Sequence, residues 1–166
     1  MYFKITSYLK FILKSSNEHG VHSPFVFKYV TRCLYSKTSW NKRKSIGILL
    51  KSISYFESKS VAFLDDLSAA QIVTKHFPEL EYDQTSHDLI FANEFDQFHF
   101  KQLLSDGKLH NDSIILIDRI HQNPRKEEEW KALIQLPTIT VSMDMYWLGA
   151  IFIRKEQEKE HFTIRI

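Results

Sequence analysis

Ser60-Val-Ala-Phe-Leu-Asp-Asp-Leu-Ser-Ala-Ala-Gln-Ile-Val73 decides how this chain is read. Val61–Leu64 is a short apolar run of the kind a buried strand makes, and the residues after it fall into helical spacing. A strand running straight into a helix opens a nucleotide-cofactor fold, which grips its ligand at a glycine-rich turn between the two. Only a residue without a Cβ lets backbone approach a ligand that closely. No turn glycine stands here. The four glycines of the chain are Gly20, Gly47, Gly107 and Gly149, and no two lie closer than 27 positions. The scaffold is present and the usual cofactor grip is not.

Downstream, strand and helix signals alternate. Asp88–Ala92 and Ser113–Asp118 read as buried strands, the second an apolar run ending in an acid. Helical patterns fill Ala69–Phe77, Asp96–Leu104 and Pro124–Leu136; the last opens with proline and carries Glu127, Glu128 and Glu129 near its N-terminus, where the helix dipole favours them. Thr138–Ser142 and Phe162–Ile166 alternate, and Leu148–Ile153 is apolar. The charged segment Arg154–Glu160 is expected to join the last two strands as a hairpin. Alternating strands and helices with such an end predict a parallel sheet with an antiparallel edge.

Upstream, helix signals dominate. Residues 2–15 have helical spacing, and Asn17–Gly20 breaks it. Ser23 followed by Pro24 reads as an N-cap and first helical residue, opening a helix to Tyr35. A polar, basic linker (Ser36–Lys44) precedes a third helix over Ser45–Phe56. The expected division is therefore a helical prefix, residues 1–58, and an α/β domain, residues 59–166.

Composition narrows the function classes. A formal charge of +2 and the absence of a basic stripe interleaved with exposed aromatics argue against nucleic acid. The single cysteine, Cys33, leaves no internal disulfide framework and fits a reducing cytoplasm. Residues 1–14 are too short and too charged to span a bilayer, since Lys4, Lys10 and Lys14 interrupt them. An amphipathic helix on a membrane surface stays open for them. Packing on the domain or on a second subunit is the simpler expectation.

Asn17-Glu-His-Gly-Val-His-Ser-Pro-Phe-Val-Phe27 resembles the opening signature of a bacterial subgroup of class I SAM-dependent methyltransferases with a helical prefix. The resemblance continues through His110-Asn-Asp-Ser-Ile-Ile-Leu-Ile-Asp118, Ile120-His121, Thr140-Val-Ser-Met-Asp144, Gly149, Arg154-Lys-Glu-Gln157 and Glu160-His-Phe-Thr-Ile-Arg165. It covers residues 1–60 and 88–166, and implies a Rossmann-like methyltransferase sheet ending in a C-terminal antiparallel hairpin. The middle departs from it. The family carries an acid and a glycine-rich turn, E-L-G-T-x-x-G, where this chain reads Phe63-Leu-Asp-Asp-Leu-Ser-Ala69. Only 22 residues separate Asp65 from Asp88, whereas one strand-helix-strand unit takes roughly 30. The sheet is thus expected to be truncated, with at most a vestigial strand at Leu80–Tyr82. The acid that holds the SAM ribose has no counterpart beyond nearby Glu79 and Glu81. Related O-methyltransferases hold a divalent cation with carboxylates that here become Asn93-Glu94 and Asp118-Arg119, and a guanidinium there has the wrong charge.

Several polar residues are candidates for a remaining site. Asp118 and His121, at the end of a strand, are the candidate acid–base pair, against the simpler pairing of Asp118 with Arg119. His19 and His22 have metal-ligand spacing, though at a loop-to-helix junction they would more simply cap backbone groups. If that loop lies over the carboxyl edge of the sheet, both line a pocket, as would Asp144 and Trp147. The expectation is a methyltransferase-like protein without SAM-dependent catalysis, with no cofactor and no metal, acting as an interaction or regulatory subunit. Its partner would be a second copy or an active methyltransferase relative. The alternatives are an active O-methyltransferase using SAM through an atypical site, and a small-molecule binder using the residual cleft.

Overall fold

The computed structural model describes residues 2–166; Met1, the first residue of the expected prefix and of the 1–14 segment, lies outside them. The elements are α1 (Tyr2–Lys14), α2 (Pro24–Tyr29), α3 (Lys44–Tyr55), β1 (Val61–Leu64), α4 (Leu67–His76), β2 (Leu89–Ala92) and α5 (Gln97–Ser105). There follow β3 (Ile114–Asp118), α6 (Pro124–Leu133), β4 (Val141–Asp144), β5 (Leu148–Phe152) and β6 (Glu160–Thr163). Local chemistry sets the helix starts. Ser23 Oγ accepts from Val26 N ahead of Pro24, Asp66 from Ala69 N, Asp96 from Phe98 N and His99 N, and Asn123 from Lys126 N ahead of Pro124. α5 ends at Gly107, whose φ of 66° is the left-handed exit that glycine allows without penalty.

Six strands form one mixed sheet in the order β1-β2-β3-β5-β4-β6. β1, β2 and β3 are parallel neighbours, with Val61 beside Leu89 and Leu89 beside Ile114. β5 runs antiparallel to both β3 and β4, and β6 pairs parallel to β4. The expected hairpin between the last two strands is therefore corrected. Both edges of β5 are taken, by β3 and β4, so the chain after Arg154 passes β4 and adds β6 outside it. The tight hairpin is instead β4–β5, turning through Met145–Trp147 with Tyr146 at φ 65°. The second prefix helix is also not continuous: after α2, Val30–Leu34 forms a π-helical turn, in which Tyr35 N donates to Val30 O at 2.9 Å.

Two apolar layers sandwich the sheet. On one face α2, the π turn, α3 and α4 pack Val26, Tyr29, Leu49 and Val73 onto Val61, Leu89, Leu116 and Phe152. The prefix thus shares its core with the sheet. On the other face α5 and α6 pack Phe100, Trp130 and Leu133 onto Ile90, Ile115 and Ile151. Gly149 of β5 is needed there, because a Cβ on it would lie 2.6 Å from the Trp130 ring. Burial pushes the Cys33 thiol up to about 12, so it sits in the core under α2 and α3 as an apolar residue. At the outer edge of β1 the vestigial strand survives as one bridge. Val61 N donates to Glu81 O at 3.0 Å, and Glu81 N to Lys59 O at 2.9 Å.

Candidate functional site

The carboxyl ends of β1, β2 and β3 are where an open α/β sheet places its ligand. Here the chain's own cations fill them. Asp118, at the end of β3, is fully buried, and its Oδ2 accepts from Arg43 Nη2 and, at 2.9 Å, from Arg119 Nε. Its Oδ1 has no protein partner among the described residues. The same Arg43 Nη2 reaches Asp66 Oδ2 at 3.3 Å. Arg119 donates on to Asn93 Oδ1 at 2.8 Å. The buried Lys126 ammonium donates to Asn93 O at 2.5 Å and pairs with Glu94 at 3.2 Å. Burial raises the Asp66 pKa, but the Ala69 N–H, Ser68 and Arg43 outweigh it, leaving the carboxyl below its ordinary value. The glycine-free turn after β1 takes a backbone conformation that glycine favours. Asp65 takes the left-handed conformation, φ 59°, and Arg119 at the end of β3 does the same at 54°. That region favours glycine, with aspartate tolerated better than most residues.

A second polar cluster lies under α1. That helix turns Ser7 and Phe11, one turn apart, toward the body. His121 is held between two carboxylates: Nε2 to Asp144 Oδ2 at 2.7 Å and Nδ1 to Glu127 Oε2 at 3.2 Å. Ser7 Oγ donates to the same Glu127 oxygen at 3.1 Å. Asp144 also holds the β4–β5 turn, its Oδ1 accepting from Tyr146 N at 2.9 Å. The Tyr146 ring stacks on His121, with centroids 5.1 Å apart and planes 11° apart, and its hydroxyl donates to Lys4 O. Burial lowers the His121 pKa, yet the hydrogen bonds and charges of Asp144 and Glu127 prevail and hold it above its ordinary value. Burial raises Glu127, but Lys131 and His121 hold it down at about 2. Both ring nitrogens of His121 are thus committed, and the two carboxylates favour its protonated form.

The two proposed catalytic residues therefore do not form a couple. Asp118 belongs to the arginine cluster and His121 to the α1 cluster, because each has stronger partners at hand. His19 and His22 are exposed. Their segment lies beside β6, at the opposite end of the sheet from β1, where Ser16 bridges to Ile164 and Ser23 bonds to Gln157. Neither lines a pocket over the carboxyl edge. Trp147 is 45% exposed and contributes its carbonyl, which accepts from Arg119 N. Asp144 alone of those four enters a polar cluster. Arg43, Lys126, Ser7 and Glu127 were not foreseen. Arg43 lies in a basic linker that reads as solvated, and Glu127 in an acidic run explained by the helix dipole. Ser7 did carry a signal, as a hydroxyl at helical spacing with Phe11.

Among the described residues no group of three or more His, Cys, Asp or Glu could hold a metal ion. No helix among them is long and apolar enough to cross a membrane. Compared with known proteins, the chain matches no family model and no curated sequence.

Proposed function

We propose that this protein is a methyltransferase-like α/β protein that does not transfer methyl groups and acts as an interaction or regulatory subunit. The observation that carries the reading is the occupation of the carboxyl edge by Arg43, Arg119 and Lys126, bound to Asp66, Asp118, Asn93 and Glu94. The residues present do not fit SAM. A Cβ stands at the turn where backbone must approach the ligand, no acid is placed for the ribose, and a guanidinium lies where a cationic sulfonium or a divalent metal would meet repulsion. An active O-methyltransferase would need those ion pairs broken before its cofactor could enter.

The interaction half of the reading rests on α1. While Ser7 and Phe11 face inward, Tyr2, Ile5, Leu9 and Leu13 form an outward stripe, with Tyr2 84% and Leu13 87% exposed. Spacings of three and four residues put these side chains on one helical face, the seam a second helix would use. Phe11 and Tyr29 are buried in the chain itself, so the surface offered to a partner is aliphatic as much as aromatic. A symmetric pairing of two copies through α1 satisfies this stripe without another chain. Calorimetric titration with SAM and with its demethylated product tests the first half. We expect a Kd weaker than about 1 mM, about −4 kcal/mol, for both. Micromolar binding of either overturns it.

A further inference from the structure

We infer that the groove between α1, α6 and the β4–β6 edge is a binding site for a small organic anion, a carboxylate or phosphate carried on a ring-sized apolar body. This groove lies on the α5–α6 face by the ends of β4 and β6, apart from the arginine cluster at β1–β3, and does not depend on the reading above. Its volume is about 470 Å³, within the range that holds small molecules. Lys10 and Lys14 stand on its rim, one helical turn apart on α1. Two like charges at that spacing destabilise a helix. The groove's two carboxylates cannot relieve them, since Asp144 is bound to His121 and Glu127 to His121 and Lys131. Neither Lys10 nor Lys14 has a carboxylate partner among the described residues, and an anion between them removes the repulsion.

The β4–β6 edge adds a donor. Ser142 is buried, and its hydroxyl makes one bond, 2.6 Å to His161 Nδ1. If the hydroxyl is the donor, the proton of the exposed His161 ring sits on Nε2, which has no protein acceptor among the described residues. Burial, and then Lys159, hold the His161 pKa below its ordinary value, so at neutral pH the ring offers a neutral N–H. The walls include Phe11 and Trp130, apolar surface for the body of the ligand. Donors without acceptors beside an aromatic wall select an anion over a cation or a neutral polar molecule.

Thermal melting with 10 mM phenyl phosphate, benzoate, inorganic phosphate or benzyl alcohol tests the site. We expect at least one aryl anion to raise Tm by about 2–4 °C, as millimolar affinity implies for a chain of this size. Benzyl alcohol should have no effect. Phenyl phosphate above benzoate marks a phosphate site, the reverse a carboxylate site, and inorganic phosphate equal to phenyl phosphate would remove the aromatic wall from the account. The exposed double variant Lys10→Ala, Lys14→Ala should melt normally without ligand and bind about tenfold more weakly. No shift with either aryl anion, an equal shift with benzyl alcohol, or an undiminished shift in the double variant overturns the proposal. His161→Gln gives a second check, through loss of the anion-dependent NMR shift at the Ser142 amide.

Discussion

Two buried polar clusters sit on this sheet, and they are built on opposite plans. At the carboxyl edge, Asp118 is neutralised by two guanidiniums that stay charged at any accessible pH. Under α1, the central group is an imidazole between two carboxylates, whose charge comes and goes with pH. The first cluster is a permanent lock at the carboxyl ends of β1 and β3. The second is a titratable joint that fastens a helix to a sheet. A buried charge is tolerated when paired, but the choice of partner decides whether the pairing can be undone.

Breaking the lock should have the largest effect. Arg43→Ala leaves Asp118 with Arg119 alone, and we expect a loss of about 2–3 kcal/mol in urea unfolding, below the usual cost of an orphaned buried charge because one partner stays. Asp118→Asn in the same background should restore part of that loss. Strict additivity would show that the two side chains are not coupled.

Undoing the joint should cost less, about 1–2 kcal/mol for His121→Gln, and its signature is pH dependence. The His121 pKa is raised on folding, so its stabilisation is complete below the unfolded value near 6.5 and fades as pH rises through the folded value. His87 and His161 are lowered and act with the opposite sign. The difference between wild type and His121→Gln should therefore shrink above pH 6.5. A difference that is flat with pH would mean that folding leaves the His121 pKa unchanged, and one that grows with pH that the ring is neutral in the fold.

The two faces of α1 sharpen the contrast next. Phe11→Ala should destabilise the fold, because it faces the His121 cluster. Ile5→Glu with Leu9→Glu should leave the melting of the monomer unchanged and shift the light-scattering mass from dimer to monomer. A wild-type monomer mass at micromolar concentration would refute the pairing.

The smallest effect is expected at Asp65. Asp65→Gly removes a left-handed Cβ and should add up to about 1 kcal/mol. It should not create SAM binding, since Arg43 still fills the edge. Binding gained by this variant alone would show that the turn, rather than the arginine lock, is what excludes SAM.

Much of this was legible in the sequence. The run Val61–Leu64, the cap Ser23 ahead of Pro24, the helix start at Pro124, and the shortened span before Asp88 gave the α/β order and the residual pairing at Glu81. Each is a local signal of periodicity, turn chemistry or length. The last strands were misread because strand spacing along the chain does not say which edges are already taken. The polar clusters were legible only in part, since Arg43 joins Asp118 across 75 positions and Ser7 joins Glu127 across 120. Such pairs leave no pattern in either segment alone.

The bridge between Ser16 and Ile164 carries a further consequence. Ser16 N donates to Thr163 O and Ser16 O accepts from Arg165 N, so the segment that ends α1 joins the sheet only after β6 is in place. During synthesis α1 leaves the ribosome nearly the whole described chain earlier. Until β4, β6 and His121 follow, both of its faces lack their native partners, and the nascent chain trails an apolar, lysine-bearing helix. Docking α1 is therefore a late, high-contact-order step.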